Sequence, residues 1–190
     1  MALSKIKSTS LETDATNLVL LSSATASSGD AEIEFTNLNP STYNTIMLIG
    51  YNLLPVTDAV NLRIRGSDDN GATYKSGASD YGFLHDVRRV GNTVSEGGDN
   101  DNDEIDFHGS ENRQGNQAAE ISSLKMFLTN MNSQYKNIFT EVNGENLAGN
   151  YSFGHNAGQM KFSGACNAIK LFWSTGNWSS GTINCYGIKN

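Results

Sequence analysis

The chain has 190 residues, with 13 basic and 20 acidic side chains, a net charge of -7 and a pI near 4.8. Such a balance repels phosphate backbones, which excludes nucleic acid as an expected partner, and no apolar run approaches the roughly 20 residues of a membrane helix. Only 17% of residues are charged; the polarity comes from Asn, Ser, Thr and 19 glycines, the composition of many strands joined by turns.

Residues 1–14 are polar, rich in Ser and Thr, and carry Lys5 and Lys7 without an apolar segment after them, so no secretory signal is expected. They are expected to form an extended N-terminal arm, with the two lysines as candidates for contact with a partner. Residues 15–190 are expected to form one domain. Leu18 to Ser22 is a short apolar strand. Ala31, Ile33 and Phe35 alternate with Glu32 and Glu34, the period of a half-buried strand with one wet face. Tyr43 to Tyr51 is apolar on both faces, as in a central strand. Val60, Leu62 and Ile64 then alternate with Asn61, Arg63 and Arg65.

Asn70-Gly71 marks a tight turn, and Tyr74 and Tyr81 frame the Gly/Ser-rich stretch that follows it. Phe83 to Val90 is a further strand. Residues 91–117 are poor in apolar side chains and predict a long loop interrupted by a brief strand at Ile105 to His108; loops of that length are functional or mobile. Ile121 to Asn130, Lys136 to Val142, Ser152 to His155 and Gln159 to Ser163 continue the strand series. Helix-period stretches are missing. About ten short strands imply an all-β antiparallel sandwich of jelly-roll type.

The last stretch, Asn167 to Ile188, predicts a β-hairpin. Ile169, Leu171 and Trp173 alternate with Ala168, Lys170 and Phe172, and Ile183 and Cys185 with Thr182, Asn184 and Tyr186. A loop from Thr175 to Ser179 carries Gly176 and Asn177, which tolerate positive φ. With Ser174 opposite Ser180, Cys185 faces Ile169 and Ile183 faces Leu171. Cys166 and Cys185 then point to opposite faces and are expected as free, buried thiols, suited to a reducing compartment. Trp173 falls in the core and Trp178 in an exposed loop.

Chemistry is sparse. Asp99, Asp101, Asp103 and Glu104 suggest calcium, but an EF-hand loop begun at Asp99 has Glu104 where Gly is needed and Ser110 where Glu is needed. A solvated acidic loop is expected. His85, His108 and His155 have no ligand-like spacing, no nucleophile elbow, zinc helix or phosphate loop occurs, and Glu32/Glu34 are explained by strand alternation. No catalytic residue, metal site or cofactor is expected, and the chain is not expected to be an enzyme. Tyr74, Tyr81 and Trp178 are the candidate contact aromatics, for a protein partner or a sugar.

The C-terminal pattern NAIKLFWSTGNWSSGTINCYGI resembles the ending of small virion structural proteins of tailed bacteriophages, especially those of marine bacteria and cyanobacteria. Leu62 to Phe83, LRIRGSDDNGATYKSGASDYGF, is similar to a second feature of those proteins, a strand followed by a glycine turn and a tyrosine-bearing loop. Asn184 and Cys185 depart from that pattern, where larger or apolar residues are expected. The resemblance implies a jelly-roll-like capsid decoration or cement protein, located on the virion surface and synthesised in the bacterial cytoplasm. It implies the major capsid protein as partner, with self-association as a dimer or trimer. A tail, fibre or adaptor component and a carbohydrate-binding module are the alternatives.

Overall fold

The computed structural model describes residues 17–91, 93–109 and 113–189; the arm expected over residues 1–14, with Lys5 and Lys7, lies outside them. Twelve strands are formed: β1 (Leu18–Ser27), β2 (Glu32–Phe35), β3 (Thr45–Pro55), β4 (Leu62–Ser67), β5 (Tyr81–Arg89), β6 (Thr93–Asn102), β7 (Ile105–Asp106), β8 (Ser122–Thr129), β9 (Lys136–Glu145), β10 (Tyr151–Met160), β11 (Ala168–Trp173) and β12 (Trp178–Ile188). They build two antiparallel sheets, one of eight strands in the order β1-β12-β3-β8-β9-β10-β5-β6 and one of four in the order β2-β11-β4-β7.

The architecture is an all-β sandwich, and its chain path explains the two unequal sheets. If the pairs β5/β6 and β9/β10 are set aside, each step along the remaining strands crosses from one sheet to the other, except that from β4 to β7. What is left is β1-β12-β3-β8 facing β2-β11-β4-β7, an order compatible with a jelly roll. The two pairs are antiparallel hairpins, one following β4 and one following β8. They join each other through β10 and β5, which widens the larger sheet by four strands. The core lies between the sheets: Ile46 and Leu48 from β3, Leu124, Met126 and Leu128 from β8, and Ile183 and Cys185 from β12 meet Ile33, Phe35, Leu62, Ile64, Ile169, Leu171 and Trp173 from the other side.

The expected C-terminal hairpin is instead an arch. β11 pairs with β2 and β4, whereas β12 pairs with β1 and β3. Cys185 therefore lies beside Ser22 and Leu48 rather than opposite Ile169. The alternation is the same in either arrangement, because both strands direct one apolar set inward. What differs is the neighbour, which a period of two does not encode. Gly176 takes the positive φ of 76° that the connection needs. Both cysteines are free and buried, although the hairpin register from which that is expected does not form.

The long loop expected over residues 91–117 is corrected in its first part, where Thr93–Asn102 is strand β6, laddered to β5; the brief strand expected at Ile105 to His108 is present as Ile105–Asp106, which pairs with β4. β6 lies at a sheet edge with a single neighbour, so it needs few apolar side chains, and its Glu96, Asp99 and Asp101 discourage further strand addition.

The acidic stretch is not a solvated loop throughout. Asp103 Oδ2 accepts from Arg65 Nη2 at 2.6 Å, Glu104 Oε2 lies 2.9 Å from the same nitrogen, and Glu104 Oε1 is bonded to Arg63. Arg63 Nε also reaches Asp106 at 3.3 Å, and Lys170 Nζ pairs with Glu32 at 2.6 Å. With Arg65 stacked 5.3 Å from the Phe172 ring centre, these residues cover the outer face of the four-stranded sheet with compensated charge. Asp99 is used locally, accepting from the Asp101 N–H at 3.0 Å and from Asn102.

Candidate functional site on the outer face of the larger sheet

The aromatic residues singled out by sequence are mostly structural. Trp178 opens β12, is fully buried, and sits with its ring centre 5.0 Å from that of Trp173; it is not an exposed loop tryptophan. Its backbone N–H donates to Asp30 O at 2.8 Å, which draws the start of the strand under the β1–β2 turn. Tyr81 is likewise fully buried, and this overturns it as a contact residue. Its hydroxyl accepts from Gly66 N–H at 2.9 Å and donates to Lys75 O at 3.0 Å, tying the loop that precedes it to β4. Burial holds that phenol well above the ordinary tyrosine range. Tyr74 is half-buried with Lys170 Nζ 4.7 Å from its ring centre, so it completes the charged face of the smaller sheet. Tyr74 and Tyr81 thus belong to one loop, and Trp178 belongs to another part of the core.

The unusual surface lies elsewhere. On β8 the inward residues are Leu124, Met126 and Leu128, so Lys125 and Phe127 face out. Following the ladders across the whole sheet at the level of Phe127 gives one row: Leu20, Tyr186, Met47, Phe127, Phe139, Ala157, Leu84 and Gly98. Seven interstrand spacings make this apolar row about 34 Å long. Leu20 and Phe139 are each 55% exposed and Leu84 is 68% exposed, while Tyr186, Met47 and Phe127 are half-buried. A contiguous apolar surface of this kind marks a place of contact.

The adjoining row on the same face reads Ser23, Asn184, Ile49, Lys125, Glu141, His155, Asp86 and Glu96. Its charges are unevenly placed. Strands β1, β12, β3 and β8 carry between them a single charged side chain, Lys125, while the outward carboxylates Glu141, Asp86 and Glu96 belong to β9, β5 and β6. Lys125 Nζ bonds Glu141 Oε2 at 3.0 Å, and Arg88 Nη2 approaches Asp86 at 3.4 Å. His155 packs edge-on against Phe153, with ring centres 4.4 Å apart.

Between the two rows, over β8 to β6, the sheet is dented into a groove of about 760 Å³. Its cause is a change of size along the apolar row. Ala157 stands between Phe139 and Leu84, and Gly98 follows, so two large side chains wall a small one. The groove offers an apolar floor and a hydrogen-bonding edge. Among the described residues no cluster of three or more His, Cys, Asp or Glu side chains is arranged to hold a metal ion. His108 and His85 lie on the other side of this sheet, and His108 is buried.

None of the residues of this face is a contact candidate in the sequence, where His155 is weighed only as a metal ligand and Asn184 only as a strand residue. Each strand contributes one outward apolar residue, which is unremarkable alone; only the register lines them up. No family model matches the chain, and no curated protein matches it either.

Proposed function

We propose that this chain is a structural component of a bacteriophage virion, a capsid decoration or cement protein that stabilises the shell by bridging neighbouring capsomers. The observation that carries the reading is the contrast between the two outer faces. The four-stranded face is covered with paired charge and suited to water, whereas the eight-stranded face bears an exposed apolar row across its full width. A sandwich with one such face is built to work in an assembly. The virion assignment itself comes from the resemblance of Leu62 to Phe83 and of the C-terminal stretch to phage structural proteins. Stabilisation would be thermodynamic, since a subunit that binds only the assembled shell lowers the free energy of that state.

The test is addition of the purified chain to shells that lack it. The cement reading predicts saturable binding in many copies and a higher temperature of shell disruption. Shells that neither bind the chain nor gain stability would remove the reading. A tail or adaptor role predicts binding only at a unique vertex or the tail.

A further inference from the structure

The apolar face has a partner whose chemistry can be deduced from the face itself. We infer that it is covered by a second copy of the same chain, stacked face to face about a twofold axis that runs parallel to the strands between β8 and β9. Such an axis keeps each cross-strand row opposite itself but reverses its order, so β8 meets β9 of the second copy, β3 meets β10, β12 meets β5 and β1 meets β6.

The pairing that results sets a large side chain over a small residue at two of its four positions. Phe127 meets Phe139, Met47 meets Ala157, Tyr186 meets Leu84 and Leu20 meets Gly98. The long Met47 side chain enters the groove over Ala157, and Leu20 lies over a residue without a side chain. An axis along the row instead would leave Ala157 facing Ala157 and Gly98 facing Gly98, two voids in the contact.

The pairing is complementary in charge. In the adjoining row Lys125 meets Glu141, Ile49 meets His155, Asn184 meets Asp86 and Ser23 meets Glu96. No carboxylate of this row faces another, because all of them lie on one half of the sheet and the other half carries only Lys125. Stacked twisted sheets pack with their strands offset by about 30° and interdigitate side chains as in a sandwich core. The extent is adequate: a face about 34 Å by about 20 Å approaches the roughly 800 Å² that each partner buries in a standard interface.

The inference does not depend on the virion reading, and it is tested on the isolated chain by sedimentation equilibrium across a range of concentration and salt. The expected species is a dimer. Because each copy has a net charge of -7, repulsion opposes association, so dimerisation is expected to strengthen as salt rises. Phe139→Asp acts twice in a symmetric interface and should weaken the dimer by about 100-fold or more. Ala157→Trp, which fills the seat of Met47, should do the same. Lys125→Glu should weaken it by setting a second carboxylate against Glu141 of the other copy, and adding Glu141→Lys should restore it. Near-ultraviolet circular dichroism from the buried Trp173 and Trp178 serves to show that each variant is folded.

A folded chain that is monomeric at every concentration and salt would overturn the inference and leave the face to a different partner, such as a capsid subunit. A dimer indifferent to these four changes would overturn it too, by placing the contact elsewhere. A dimer found for a chain absent from virions would uphold the inference and refute the proposed function.

Discussion

His108 is buried near Trp173, with its Nδ1 accepting the backbone N–H of Leu62 at 3.0 Å. Burial disfavours the imidazolium and pushes its pKa down from 6.5 to about 4, although the carboxylate of Asp106 opposes this. The unfolded chain therefore takes up a proton near 6.5 that the folded chain refuses until about 4. Stability from this group is present in full above 6.5 and is lost as pH falls through that window, by about 3 kcal/mol at 1.36 kcal/mol per unit. Urea unfolding measured from neutral pH downward should show this loss, and His108→Asn should remove it even if the variant is less stable overall. An unchanged pH slope in the variant would contradict the assignment. Lys136 and the cysteines show the same principle. Lys136 Nζ donates to the carbonyls of Phe162 at 2.7 Å and Gly164 at 2.5 Å and lies 3.9 Å from the Phe162 ring centre, with burial lowering its pKa. The Cys166 and Cys185 thiols are each pushed up to about 12 by burial, which makes them inert packing groups. In the sequence His108 is one of three scattered histidines and Lys136 an ordinary strand lysine. Burial of a polar side chain is a tertiary fact, and nothing local announces it.

At the scale of elements, most strands are visible in the sequence because alternation is a local signal. Glu32–Phe35 and Leu62–Ser67 follow it closely, with Ile33, Phe35, Leu62 and Ile64 buried. Two elements differ from expectation, each for its own reason. β6 has few apolar residues because an edge strand covers little core, so its sequence resembles a loop. The β11–β12 arch has the same apolar alternation as a hairpin, so its sequence does not reveal that the two strands enter different sheets. Trp178 is misplaced with it, since a residue at the tip of a hairpin is exposed while one at the inner side of an arch is not. The arch predicts that both tryptophans emit as buried indoles and resist quenching by iodide. Trp178→Ala, which empties a fully buried site against Trp173, should cost about 3–5 kcal/mol in urea unfolding. A red-shifted, readily quenched component in the native protein would restore the exposed-loop placement.

At the scale of the molecule, the eight-stranded sheet is a jelly-roll-compatible half extended by two hairpins, and the extension creates the candidate site. Its legibility in the sequence is poor for a physical reason. Phe127, Phe139 and Leu84 are each an isolated apolar residue on the wet side of its strand, and Ala157 attracts no notice at all. The row exists only because the ladders bring them into register, and the groove exists only because Ala157 falls between the larger two. The same register sets large against small and Lys125 against Glu141 when two copies stack.

The central claim, that this chain is a repeated component of a virion shell, is tested most directly by its copy number. Quantitative mass spectrometry of purified particles compares the chain with the major capsid protein. A decoration protein is expected at a ratio near one or a simple fraction of it. A handful of copies per particle, or none, would contradict it.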